Sequence, residues 1–268
     1  MKSQTTDTKR VYRITIAYDG TGFLGWQRQG EHPTVQLAIE KALAKCWGEP
    51  ITLHGAGRTD TGVHALAQEA HFEATPKFDR PTLVRALNNN LPESVRITRT
   101  RFGPTGFHSR FWAIGKEYVY RVWNDPVMSP FEVNRAMHVP RPLDLAEMRR
   151  VAKVLTGKHD FASFTSNPGY VRKGTIRTIY RIRIQRGKEL LTFRFHGSGF
   201  LYRMVRNLMG AILRVGLRRM TVEEVEAVLR AKKRMTAPNT SPACGLYLAR
   251  VIHGRGPVPK PFDTEEEE

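Results

Sequence analysis

The sequence predicts an α+β protein built from two split β-α-β halves, and three observations carry that reading. Apolar residues recur every second position in some stretches and every third or fourth in others, the periods of strands and amphipathic helices. The stretches run in the order β-α-β-β-α-β between residues 11 and 102, and the order recurs between residues 116 and 252. Proline, glycine, threonine and aspartate stand at the junctions, where caps and turns need them.

In the first half, Val11 to Tyr18 alternates as a strand. Val35 to Trp47 has helical spacing, with Thr34 placed to cap it after Pro33. Ile51 to Gly55 and Leu66 to Phe72 read as strands, Pro81 to Asn89 as a helix with proline in its first turn, and Val95 to Phe102 as a closing strand. In the second half, Lys116 to Trp123 is a strand, Asp144 to Leu155 a helix, and Ile176 to Gln185 and Leu190 to His196 are strands. Helix Phe200 to Val215 follows, then an extra helix Val222 to Ala231 capped by Thr221, then strand Gly245 to Ile252. Gly103 to Gly106 is a loop, so the halves are residues 1–107 and 108–268. Each is a ferredoxin-like unit: a four-stranded antiparallel sheet with both helices on one face. The other face either packs on the companion half or binds something. Ser163 to Gly174 reads as a long basic loop that can close over a ligand, and the extreme N-terminus and the acidic tail 262–268 read as disordered.

Lys and Arg number 43 against 25 Asp and Glu, a formal charge of +18 and a pI near 10.3. Such an excess does not stabilise a fold; it selects a polyanionic partner. It is uneven: residues 1–107 carry 14 basic and 10 acidic side chains, residues 108–268 carry 29 and 15. The two cysteines, Cys46 and Cys244, are far apart and form no CxxC, which supports neither a disulfide framework nor a thiolate zinc site and suits a reducing cytoplasm. Nor do the nine histidines show metal-ligand spacing. No apolar run approaches the ~18 residues that a membrane-spanning helix needs.

The densest candidate for chemistry is Gly55 to His64, where three glycines within eight residues let the backbone bend and approach a ligand closely. Its Asp60 would ordinarily be a turn residue bonding nearby amides. A dinucleotide fingerprint fails, because Asp60 stands where its last glycine belongs and a carboxylate there repels pyrophosphate. No GxxxxGK[ST], HExxH or GxSxG motif occurs.

Residues 57–65, GRTDTGVHA, resemble the signature of the tRNA pseudouridine synthase A family. Four further blocks are similar to family blocks in the same order: YDGTGFLGWQRQ (18–29), FHSRFWAIGKEYVY (107–120), GKHDFASF (157–164) and FLYRMVRNLMG (200–210). TAPNTSP (236–242) departs from the pattern, being longer than the usual segment before Ala243 to Leu246. The resemblance implies two antiparallel sheets joined side by side, helices on the outer face and an active-site cleft between the halves. It implies isomerisation of uridine to pseudouridine at about positions 38, 39 and 40 of the tRNA anticodon stem-loop, by a cytoplasmic homodimer that needs no cofactor and no metal.

The same resemblance assigns roles by position. Asp60 matches the catalytic aspartate, Arg206 the arginine that pairs with it, Tyr118 the active-site tyrosine that stacks on the extruded uracil, and Arg58 the arginine that helps to flip the nucleotide out. On the residues alone, Tyr120 rivals Tyr118, since both share one strand face. Arg203, Arg206, Asn207, Gly210 and Arg214 lie off the apolar stripe of their helix, which by itself reads as a solvated face. Arg172, Lys173, Arg177 and Arg181, with Arg183, Arg186 and Lys188, form a basic run suited to phosphates; Arg181 and Arg183 share one face of a strand and Tyr180, Ile182 and Ile184 the other. The rival reading is a non-catalytic RNA-binding protein. It lacks the sheet-borne RNP1 aromatics and has no use for a carboxylate in a basic surface.

Overall fold

The computed structural model describes residues 9–166, 174–233 and 240–256. The chain has an α+β fold and divides into two compact units; the first runs to Ala113 and takes back the chain from Val251, and the second is Ile114–Arg250.

The first unit is built from β1 (Arg10–Tyr18), α1 (Val35–Trp47), β2 (His54–Gly55), β3 (His64–Ala74), α2 (Arg80–Asn88) and β4 (Val95–Phe102). The strands lie in the order β4-β1-β3-β2, every neighbouring pair antiparallel, which is the ferredoxin-like order. Tyr12, Ile14, Ile16 and Tyr18 point to the core, where Tyr12 stacks on Phe72 (centroids 5.0 Å apart) and Trp47 of α1 meets both rings edge-on. Thr34 caps α1 by accepting the Leu37 N–H, and Asp79 caps α2 by accepting the Thr82 N–H. The sheet's other face is polar. Glu69, though buried, accepts hydrogen bonds from Thr15 (2.6 Å) and Arg101 (2.7 Å), so its charge is matched across three strands. On the same sheet His71 stacks on His54, meets His108 edge-on, and its Nδ1 shares a hydrogen bond of 3.0 Å with the Ser109 hydroxyl.

The second unit contains β5 (Ala113–Trp123) from Ile114 onward, β6 (Met137–His138), α3 (Leu145–Val154), β7 (Gly157–Asp160), β8 (Ile176–Arg186), β9 (Leu190–Gly197), α4 (Met204–Gly216), α5 (Val222–Ala231) and β10 (Leu246–His253) as far as Arg250. Its sheet runs β10-β5-β9-β8-β7, again the ferredoxin-like order, with β7 added at the edge of β8 and β6 paired parallel to the end of β5. Thr221 and Glu224 form the reciprocal capping box that starts α5.

Three expectations need correction. Ile51 to Leu53 is not strand: the Leu53 N–H donates to Glu40 and the Leu53 carbonyl accepts from Gln36, so α1 side chains take the backbone groups that a ladder would use. The helix expected from Phe200 starts at Met204, because Arg203 is left-handed (φ 56°) and the Tyr202 carbonyl accepts from Ser166 and Thr165 rather than from the next helical turn. Tyr180 does not share the inward face with Ile182, for a β-bulge between Ile179 and Arg181 turns it outward.

Burial, reinforced by the positive fields of His108 and His54, pulls the His71 imidazole down to about 3. Below the ordinary value of about 6.5 the unfolded chain binds a proton there and the folded chain does not, so stability present above that pH is lost as pH falls toward 3. Urea unfolding at pH 7 and pH 5 should therefore show a steeper loss for the native protein than for His71→Asn; equal losses would assign the acid sensitivity elsewhere.

Candidate active site

Asp60 opens a four-residue turn. The Val63 N–H donates to the Asp60 carbonyl (3.1 Å), and Gly62 occupies the third position with φ +75°, which glycine adopts without strain. The turn is clamped by the segment leaving β1. The Thr59 carbonyl accepts the Trp26 N–H (3.1 Å), and the Thr59 hydroxyl shares a 2.8 Å hydrogen bond with the buried Tyr18 hydroxyl. From β3, Gln68 donates to the Gly57 carbonyl (2.7 Å). Further along, Gly25 and Trp26 accept the Val35 and Gln36 N–H groups, so the clamp is anchored on the first turn of α1.

Glycines make this contact sterically possible. A Cβ at Gly20 would lie 2.1 Å from the Val63 carbonyl oxygen, one at Gly25 would lie 2.6 Å from the Thr59 oxygen, and one at Gly55 would lie 2.5 Å from the Trp26 indole nitrogen. Nothing real approaches that closely, so each position excludes a side chain. His64 is buried and accepts the Gly20 N–H at Nδ1 (3.1 Å). The Asp60 side chain is half-buried, whereas Arg58 is exposed and its Nε donates to Gln27 (3.2 Å). Tyr18, Gly20, Gly25 and Trp26 carry no functional mark of their own in the sequence; their only signal is the 18–29 block.

The second unit holds the other two candidates. Tyr118, nearly buried on β5, lies opposite Phe195 of β9 and edge-on to Phe200 (5.2 Å, 86°). Tyr120 is fully buried, its hydroxyl donates to the Pro242 carbonyl (2.8 Å), and burial pushes its pKa up. Its oxygen is thus committed to the fold. Arg206 sits half-buried in the first turn of α4, its Nε donating to the Ser241 carbonyl (2.7 Å) and its own carbonyl accepting the Ser241 N–H (3.1 Å). A cation at a helix N-terminus opposes the helix dipole, so Arg206 is not placed there for helix stability. Nor is its helix a solvated one: Asn207 and Gly210 are buried, and Asn207 accepts from Thr240 (2.6 Å) and donates to Phe164 (2.8 Å).

The candidates thus fall into two sets, Arg58 and Asp60 on one loop of the first unit, Tyr118 and Arg206 on β5 and α4 of the second. Of the basic run, Arg177 is half-buried and donates to the Gly174 and Ile176 carbonyls, while Arg181 is exposed. Arg172 and Lys173 lie outside the described residues, as do the tail and most of the 163–174 loop. Among the described residues no group of three or more His, Cys, Asp or Glu is arranged to hold a metal, and no helix is long and apolar enough to cross a membrane.

A family model described as tRNA pseudouridine synthase matches residues 14–111 and 151–253. The tRNA pseudouridine synthase A of Methylacidiphilum infernorum is 48% identical over 240 residues, 90% of this chain and 94% of that protein. That of Neisseria gonorrhoeae (strain NCCP11945) is 43% identical over 247 residues, 92% and 93% of the two chains, and that of Thermoanaerobacter sp. (strain X514) is 38% identical over 244 residues, 91% and 100%. Among solved structures, one in a Cbf5-Nop10-Gar1 complex overlaps with a TM-score of 0.40 at 14% identity, across 88% of this chain and about half (48%) of that one.

Gly20→Ala should lower the melting temperature and speed amide exchange across residues 57–64, whereas Gly22→Ala, which meets nothing within 4 Å, should change neither. Indistinguishable exchange in the two variants would show that the clamp does not hold the Asp60 turn.

Proposed function

The chain belongs to the tRNA pseudouridine synthase family, and we propose that it isomerises uridine to pseudouridine at positions 38, 39 and 40 in the anticodon stem-loop of tRNA, in the cytoplasm and as a homodimer. The observation that carries this reading is the turn presenting Asp60, which lies inside the matched span and is held by contacts that only glycine permits.

The reaction breaks the N1–C1′ glycosidic bond, turns the uracil, joins C5 to C1′, removes the C5 proton and leaves N1 protonated, so that product and substrate are isomers. It is redox-neutral and calls for no cofactor. Bond breaking develops positive charge at the sugar carbon, which a carboxylate stabilises or captures. Asp60 supplies that carboxylate, either adding to C1′ or taking a proton from C2′. Arg206, oriented by the Ser241 carbonyl, supplies the cationic partner of the aspartate. Tyr118 stacks on the uracil and takes, directly or through water, the proton leaving C5. The target base must leave its stack, and Arg58, exposed two residues before Asp60, fills the gap or holds the displaced phosphate. Arg172, Lys173, Arg177 and Arg181 bind phosphates outside the pocket.

Asp60→Ala is expected to abolish tritium release from tRNA labelled at uridine C5 while tRNA affinity stays within a few fold. Release at the native rate would remove Asp60 from the chemistry, and no release by the native protein would leave an RNA-binding protein without catalysis. Affinity should also fall steeply with salt, each phosphate contact adding roughly −0.7 to −0.9 to the slope of log K against log salt. A flat response would detach the basic excess from binding.

A further inference from the structure

The face of the second unit's sheet that carries Arg181 and Arg183 holds an arrangement that packing does not explain. β8 pairs with β9 at Ile179 opposite Gly197, and the next pair, which begins the continuous register to Arg186, is Arg181 with His196, so Tyr180 is an inserted residue. A bulge of this kind re-aims a side chain. Tyr180 is 51% exposed, and its ring lies 5.0 Å from that of His196 at 60°. Beyond them Arg183 stands directly across from Arg194, a like-charge pair that weakens the ladder. Arg194 is bonded to Glu117 (2.9 Å), while among the described residues neither Arg181 nor Arg183 makes an ion pair.

Edge protection is the competing explanation. β7 covers β8 only from Ile176 to Ile179, so the rest of β8 is an edge strand, and arginines discourage stray pairing there. That accounts for Arg181 and Arg183, and the Glu117 carboxylate on β5 accounts for Arg194, but neither accounts for an exposed tyrosine that a bulge turns outward beside them. An opposed pair of cations beside an outward aromatic is stabilised by a polyanion whose subunits have flat faces.

We infer that this face binds an unpaired stretch of RNA, one base stacking on Tyr180 beside His196 and neighbouring phosphates lying along Arg181, Arg183 and Arg194. The choice of RNA rests on the tRNA reading above; the site itself rests on the bulge and the arginine pair. It is an attachment surface outside the chemistry, and an unpaired strand suits it because a duplex keeps its bases stacked on one another.

Filter binding with the full chain tests it, using tRNA, a single-stranded 12-nucleotide RNA and a 12-base-pair RNA duplex. Tyr180→Ala should weaken binding of tRNA and of the single strand roughly fivefold or more while leaving the duplex unchanged, and Tyr180→Phe should restore it. Arg183→Glu should reduce the salt slope by about one and raise the melting temperature, since a carboxylate would then face Arg194. Unchanged single-strand affinity in Tyr180→Ala overturns the inference, and so does dissociation of that variant into smaller species with RNA affinity intact, which would give the face to a second copy of the chain. Native protein that releases no tritium yet shows these affinity changes would sink the catalytic reading and leave this surface standing.

Discussion

The placement of Asp60 depends on two backbone segments passing closer together than side chains allow. Residues 18–29 and the turn at Asp60 meet through Gly20 and Gly25, and the Trp26 indole packs on Gly55 of β2; at each of the three glycines a Cβ would lie less than 3 Å from its neighbour. The turn that carries the carboxylate is therefore held by close backbone approach together with the hydrogen bonds that Trp26, Tyr18 and Gln68 make to residues 57–59. The loop leaving β1 turns straight into α1 through the Gly25 and Trp26 carbonyls, so the helix N-terminus anchors the clamp as well.

Charge is handled in two different ways in this molecule. Inside the first unit it is matched: Glu69 gathers Thr15, Arg13 and Arg101 across β1, β3 and β4, and His71 is held uncharged among its aromatic and imidazole neighbours. Removing one member of such a network leaves a buried charge without its partner. On β8 the charges of Arg181 and Arg183 are left without an ion pair at the surface, where water makes the cost small, while Arg194 on β9 is paired with Glu117. The net charge of +18 is therefore not spread as a uniform coat.

Most of this was legible in the sequence, and what was not has identifiable causes. Alternation and caps located β1, α1, β4 and α5 to within a residue, because Thr34 and Thr221 act locally and the apolar spacing is uninterrupted. Ile51 to Leu53 looked like strand because a strand and an apolar segment satisfied by a distant helix have the same composition; Gln36 and Glu40 decide between them only in three dimensions. The left-handed Arg203 carries no sequence mark, since glycine or asparagine would be expected there. A bulge moves Tyr180 across the sheet without changing the pattern before or after it. As for the site, Asp60 stood out by its glycines, whereas the roles of Tyr118 and Arg206 came only from resemblance: a strand tyrosine and a helix arginine are commonplace until their neighbours are seen.

Arg206 is aimed by the carbonyl oxygen of Ser241, and Tyr120 is anchored to that of Pro242. A carbonyl belongs to the backbone and is the same whatever residue bears it. Replacing Ser241 one amino acid at a time would thus leave the guanidinium's partner in place and suggest a dispensable position, whereas adding or deleting a single residue just before it would shift the oxygen itself. The constraint here is written in chain length, and a survey of substitutions would pass over it.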